Sequence, residues 1–326
     1  MTETAQARGD RRGSAARFAA RRLGQSVVTL LLASVVVWQF DAASSIDPAQ
    51  EVLASRGVPS ASSAQIKAVR HELGLDRSEV HQYLHWLTGA IRGNFGRSWI
   101  NGEPVRGELA TRIGPTLLLA GVAVLIVSVA AVVFGCVSAL LAWRWPDLTI
   151  RALTVLVAAL PPFVLGIFLI HFVVIRFGIG AVITDGSLHD VLLPAICVAA
   201  GSVAVPTRIL RSSMVSALRE DYAQMARARG GRPIHVVITH ALPNSLVPFV
   251  NAIALSAPWM IGGTFVVEAV FSWPGVGAFL VQSVEQRDIP VVQAIVLLTT
   301  AAYLVAGFLA DTLTRIVDPR IENGER

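Results

Sequence analysis

The chain has 326 residues, of which 54% are hydrophobic and only 15% charged, with a formal net charge of +5. That balance excludes a soluble domain of this size and places the chain in a membrane. The basic excess lies beside apolar segments, where it works as a topology signal; no aromatic-interleaved basic domain accompanies it, so nucleic acid is not an expected partner.

Residues 1–22 form a basic tail with Arg8, Arg11, Arg12, Arg17, Arg21 and Arg22 and no apolar stripe. Next comes Leu23–Phe40, the first of six windows without Asp, Glu, Lys or Arg. A helix of about 20 residues crosses the ~30 Å hydrocarbon core. This run is longer than the apolar stretch of a signal peptide and has no A-x-A site after it, so it is expected to be a retained first transmembrane helix, 23–40.

Residues 41–114 read as a small extracytoplasmic lobe with helices of its own. Ser62 and Gln65 have the spacing of a capping box, Ile66, Val69 and Leu73 share one helical face, and Gly74 stands at the C-terminal cap. A second amphipathic helix carries Val80, Leu84, Leu87 and Ile91 on one side, with Gly93 beyond its end. His81 and His85 are four apart, with His71 upstream, a spacing that can hold a metal. Without a third placed ligand a solvated helix face is the favoured reading, and no metal site is assigned.

The other five windows are Pro115–Trp143, Ala152–Ile175, Val191–Thr207, Ala241–Val267 and Ile289–Ala310. Together they give a transmembrane domain over 115–316, followed by a tail at 317–326. Pro161-Pro162 breaks the third crossing, either as a kink or as carbonyls freed toward a path. Pro274-Gly275 reads as an outer turn. Cys136 and Cys197 lie in apolar windows and are read as packing residues. His171 is the only ionisable side chain inside the windows, so energy for any transport is expected to enter from elsewhere.

Arginine placement sets the orientation. The tail and the segment with Arg208, Arg211, Arg219, Arg227, Arg229 and Arg232 belong inside. Loops 177–190 and 268–288, with Asp185, Asp190, Glu268, Glu285 and Asp288 against Arg287, belong outside. Six crossings with both termini cytoplasmic satisfy every short loop.

A phosphate cradle of the form G-x-x-x-x-G-K-[ST] is absent, because the only lysine, Lys67, follows SSAQI. If ATP drives this chain, another subunit binds it. The segment 208–240 is the surface best suited to meet one: a short amphipathic helix, a glycine turn at Gly230, and a second helix leading to Leu242-Pro243. A helix with Tyr222 and Met225 on one side and arginines near its end can lie in a groove of a partner.

Gln224-Met225-Ala226, Gly230 and Leu242-Pro243 have the spacing of the EAA motif of ATP-binding-cassette importer permeases, although Gln224, Met225 and His240 depart from its letters. Asp221-Tyr222, Ala226-Arg227-Ala228-Arg229-Gly230 and His240-Ala241-Leu242-Pro243-Asn244 resemble more closely the dipeptide, oligopeptide and nickel permease family. Leu73-Gly74-Leu75-Asp76-Arg77, Gln82-Tyr83, Trp86 and Gly93-Asn94-Phe95-Gly96-Arg97-Ser98 look like the outer lobe of one member of its permease pair. Three C-terminal blocks look like the same family: Phe271-Ser272-Trp273-Pro274-Gly275-Val276-Gly277, Arg287-Asp288-Ile289-Pro290-Val291-Val292-Gln293 and Asp318-Pro319-Arg320. Gly307, four residues before Asp311, stands where the family usually has asparagine.

The resemblance implies an all-α polytopic protein of six transmembrane helices, like a type I importer permease, plus the outer lobe. It implies a bacterial cytoplasmic-membrane subunit without cofactor or catalytic residues, which moves peptides, nickel or a metallophore. Its partners would be a second homologous permease, two ATP-binding subunits, an extracytoplasmic binding protein and membrane lipid. ATPase coupling would fall to Glu220, Asp221, Tyr222, Met225, Ala226, Arg227, Ala228, Arg229, Gly230, His240, Leu242 and Pro243. The rival reading, an ion-driven secondary transporter, lacks the intramembrane charges it would need.

Overall fold

A computed structural model describes residues 20–39, 47–58, 60–181 and 184–317. Most of the basic tail, the start of the lobe at 41–46 and the Asp318-Pro319-Arg320 block lie outside the described residues. Within them the chain is helical, with no strand and one isolated bridge between Arg97 and Pro104.

Two compact units divide it. The first comprises residues 1–110 and 282–304, the second residues 111–281 and 305–326. In the first, α1 (Ala20–Gln39) precedes α2 (Pro48–Ser55), α3 (Ser63–Glu72) and α4 (Glu79–Ile91). The Ser62 N–H donates to Gln65 Oε1 at 2.8 Å, and the Gln65 N–H returns a longer bond to Ser62 Oγ. This is the capping box the sequence spells. Ala49, Val52, Leu53 and Val69 form a small buried core, with Ile66 and Leu73 against it.

The α4 stripe departs from expectation. Val80, Leu84 and Ile91 are exposed, and the helix instead packs through Tyr83 and Trp86, whose rings lie 5.9 and 5.5 Å from that of Trp38 on α1. Aromatic side chains bury more area than aliphatic ones and pair edge to face, so they outweigh the aliphatic stripe.

The long helices are α5 (Val105–Leu140), α12 (Leu242–Val270) and α14 (Ile289–Val317). Each runs past its apolar window because hydropathy stops at the first polar turn while the backbone ladder does not. Two further spans are bent pairs: α6 (Trp145–Ala158) with α7 (Pro162–Leu169) and its π-helical extension Ile170–Arg176, and α8 (Leu192–Ala200) with α9 (Ala204–Ala217). The first bends by 100° at Pro161-Pro162, where two prolines remove consecutive N–H donors. The second bends by 63°. Counting each bent pair once, together with α1, α5, the continuous run Pro233–Val270 and α14, gives six spans among the described residues.

In the second unit one buried cluster joins α5, α8 and α12 through Leu119, Ala195, Met260 and Trp273. Another joins α5, α9 and α12 through Ala131, Leu210, Met214 and Phe249. Cys197 donates its thiol to the Pro162 carbonyl at 3.0 Å, and Cys136 lies against Met214, so both cysteines pack. His171 is exposed, edge-on to Phe172.

Candidate functional site

The segment that joins α9 to α12, with the first two residues of α12, holds every sequence-predicted site residue. Glu220 is the N-cap of α10 (Asp221–Ala228) through extended backbone, without a side-chain cap bond. Asp221 in the first turn and Arg227 in the last complement the helix dipole. Ala223 is buried and Ala226 partly buried against Val236, Val237 and Ala241. Small residues on that face let α10 lie close to the core. On the opposite face Tyr222 and Met225 are 39% and 58% exposed, and Arg227, Ala228 and Arg229 are exposed beside them.

The helix ends in a Schellman turn. Gly230 donates to the Arg227 carbonyl at 2.9 Å and Gly231 to the Ala226 carbonyl at 3.1 Å. Gly230 has φ +85°, a left-handed conformation that costs a side chain about 1–2 kcal/mol. Gly231 is needed for space: a Cβ there would lie 2.7 Å from the Ala226 oxygen. The sequence reading singled out Gly230 and missed Gly231, although the paired glycines were the available signal.

After the turn come α11 (Pro233–Val236), a π-helical stretch over Val237–Ala241, and Leu242-Pro243 at the start of α12. Pro243 has no N–H to offer the preceding turn, and the wider π turn accommodates its ring. The rings of Tyr222 and His235 each lie 6.5 Å from that of His240, edge to face. Tyr222, Met225, the arginines and His240 thus form one continuous segment, with Leu242 and Pro243 fixing its exit.

Four buried ionisable side chains escaped the sequence reading. Arg211, read as part of the basic loop, is buried in α9 and paired with Asp147 of α6 at 2.5 and 2.6 Å. Glu268, assigned to an outer loop, is fully buried in α12. Its Oε2 accepts the Gly277 N–H at 2.6 Å and the Ala278 N–H at 3.3 Å, at the start of α13 (Val276–Glu285). Gly275 has no room for a Cβ between Glu268 and Thr116, so the Pro274-Gly275 turn is a packed joint beside buried Trp273. Asp288 is buried in the first unit, accepting from Ser98 Oγ and, at 3.0 Å, from the Trp99 N–H. Each of these groups meets donors within the chain, although Oε1 of Glu268 has no hydrogen-bond partner among the described residues. Among the described residues no three His, Cys, Asp or Glu side chains converge as a metal site.

Bent apolar spans around a short amphipathic segment with a glycine-closed turn define an importer permease of type I fold. The methionine ABC transporter MetNI in an inward-facing form shares that fold, with a TM-score of 0.54 over 65% of this chain and 96% of that one, at 19% identity. The chain belongs to the family described as binding-protein-dependent transport system inner membrane component, which it matches over residues 131–323; the family's N-terminal domain matches residues 15–120. It is 36% identical over 305 residues to the glutathione transport system permease protein GsiC of Shigella flexneri serotype 5b and to that of Escherichia coli strain K12. Each alignment covers 92% of this chain and 97% of the relative. The protein is thus an inner-membrane permease subunit of an ATP-binding-cassette importer. Nothing in these relatives supports an ion-driven secondary transporter.

Proposed function

We propose that this permease carries short peptides or glutathione-like molecules inward, in a complex with a second homologous permease, two ATP-binding subunits and an extracytoplasmic binding protein. The relatives named for glutathione transport support the substrate class. Both termini and segment 208–240 face the cytoplasm, and residues 41–114 form the extracytoplasmic lobe, as the arginine distribution requires. ATP hydrolysis resides in the partners, since this chain has no phosphate cradle.

The observation that carries the reading is the exposed face of α10. Tyr222 and Met225, one turn apart, stand out from a helix whose other side is anchored by Ala223 and Ala226. An apolar pair rimmed by arginines is the pattern of a helix that lies in a partner's groove. Motion of the ATPases is then transmitted through α10 to α9 and α12, the helices it joins.

The test is reconstitution of the complex in liposomes, with uptake of labelled glutathione and tripeptides measured beside ATP hydrolysis. Tyr222→Ala with Met225→Ala should abolish both substrate-stimulated hydrolysis and uptake while the chain inserts normally. Full coupling in that double variant, or ATP hydrolysis by the purified chain alone, would overturn the assignment.

A further inference from the structure

The apolar stripe on α4 has no cover within the described chain. Val80, Leu84 and Ile91 are 68%, 51% and 76% exposed, and Leu87 on the same face is partly buried. Positions 80, 84, 87 and 91 recur at helical spacing, so these side chains form one strip along the helix. In water such a strip would keep its apolar area hydrated, which is unfavourable.

Two sets of contacts fix how α4 is turned. On one side Tyr83 and Trp86 pack on the Trp38 ring, and the Tyr83 hydroxyl shares a 2.8 Å hydrogen bond with Ser34 Oγ. On another, Gln82 Nε2 donates to the Leu75 and Arg77 carbonyls at 3.2 and 2.8 Å, and His81, Gln82 and His85 line a cleft of the lobe. The strip occupies the sector that neither set uses.

The first span gives α4 its depth. Trp38 stands about 27 Å along α1 from Ala20 at 1.5 Å per residue, so it marks the far boundary of a hydrocarbon core ~30 Å thick. Ser34 lies one turn deeper, and Tyr83 reaches it. Trp38, Tyr83 and Trp86 therefore cluster at the depth where such rings gather at membrane–water interfaces. In the turns just before Trp38, α1 exposes Leu31, Leu32, Val35 and Val36, whose surroundings in a bilayer are acyl chains. A helix held at that level, apolar on one side and polar on another, has the build of one that lies in the interface plane.

We propose that α4 is an interfacial helix, with Val80, Leu84, Leu87 and Ile91 buried in the bilayer leaflet at the Trp38 end of α1. The partner that covers the strip is lipid. A soluble protein docked there would have to displace headgroups at the level of Trp38. The contact gives the lobe a second attachment to the membrane besides α1. It goes beyond the transport reading, and its test needs no substrate, partner subunit or ATP.

The experiment places a nitroxide at Leu84→Cys or, separately, at His85→Cys in the full chain carrying Cys136→Ala and Cys197→Ala, in nanodiscs of phosphatidylcholine and phosphatidylglycerol. Electron paramagnetic resonance then compares collisions with oxygen, which concentrates among acyl chains, and with a water-soluble nickel chelate. The oxygen-to-nickel ratio at Leu84 should exceed that at His85 about tenfold, since the apolar face of an interfacial helix lies about 5–10 Å into the boundary of headgroups and acyl chains. Should the cysteine-free background fail to fold, p-benzoylphenylalanine at either position of the chain with its native cysteines gives a second reading: photo-crosslinks to lipid from position 84 and not from 85. Equal ratios at the two positions, a nitroxide at 84 shielded from both reagents by protein, or crosslinks from 84 to protein alone would each overturn the proposal. A complete complex that moves no glutathione while position 84 reports lipid would overturn the transport reading and leave the interfacial helix standing.

Discussion

Asp147 and Arg211 form a bidentate ion pair in the second unit, with Nε and Nη2 of the guanidinium 2.6 and 2.5 Å from the two carboxylate oxygens. Ser138 of α5 and the Trp143 N–H also donate to the carboxylate, and the guanidinium lies 5.4 Å from the Trp143 ring. One carboxylate thus ties α5, α6 and α9 together. α9 leads into the segment that carries α10, so the pair fixes the base on which the proposed coupling helix stands.

Removing either partner leaves a buried charge uncompensated, at a cost of about 3–5 kcal/mol. Asp147→Leu and Arg211→Met should each lower the thermal midpoint of the purified protein by many degrees. The double variant should recover most of the loss, since two apolar side chains replace the pair without an orphaned charge. Additive losses in the double variant would show that the two residues are not coupled.

Glu268 offers a second test. Its Oε2 satisfies two N–H groups at the start of α13, which have no carbonyl within their own helix to accept them. Glu268→Gln keeps an acceptor and should cost about 1 kcal/mol, whereas Glu268→Leu strands both groups and should cost about 2–4 kcal/mol. Limited proteolysis and thermal melting of the two variants would separate these outcomes. Equal stability of both would mean that the carboxylate carries no structural load.

What the sequence made readable was local. The capping box of Ser62 and Gln65, and the helix ends at Gly74, Gly93 and Gly230, depend on a few adjacent residues, and each glycine has the expected positive φ. Spans of apolar residues located the membrane helices for the same reason. What stayed hidden depends on distant partners. Ser98 and Asp288 are 190 positions apart, and Asp147 and Arg211 are 64 apart. Hydropathy places such charges in loops because it cannot see the side chain that neutralises them. The α4 stripe misled differently: periodicity identifies an apolar face but does not say which face finds partners, and Trp38 decided it for Tyr83 and Trp86.

In the lobe, Arg56 and Glu72 pair at 2.9 Å with both side chains about half exposed. The bond from Arg56 holds the Glu72 carboxyl below its ordinary value of 4.5. A depressed folded pKa stabilises the protein above the unfolded value, and the contribution disappears as pH falls through the folded one. Stability of the lobe should therefore lose a small increment below about pH 4.5 that Arg56→Ala lacks at every pH. Solvent screening keeps that increment to a few tenths of a kcal/mol. A difference of several kcal/mol between wild type and Arg56→Ala in pH-dependent melts would contradict this.

The glycine turn after α10 gives the sharpest prediction, because its two glycines serve different ends. Gly230 has open space around its Cα but a left-handed backbone, whereas Gly231 approaches the Ala226 oxygen too closely for a Cβ. Asparagine tolerates the left-handed region better than other side chains, and a β-branched residue tolerates it worst. Gly230→Asn should therefore retain most substrate uptake and substrate-stimulated ATP hydrolysis in the reconstituted complex, and Gly230→Val should lose both. Gly231→Ala breaks the bond to Ala226 and shifts the helix end, so even a methyl group there should uncouple transport. Replacing Arg227 and Arg229 with alanine should reduce uptake less and in a salt-dependent way, as charges at an interface rim do. The measurements follow confirmation of normal expression and membrane insertion. Wild-type coupling in both Gly230→Val and Gly231→Ala would mean that the turn is only a connection between helices, and α10 would lose the role proposed for it.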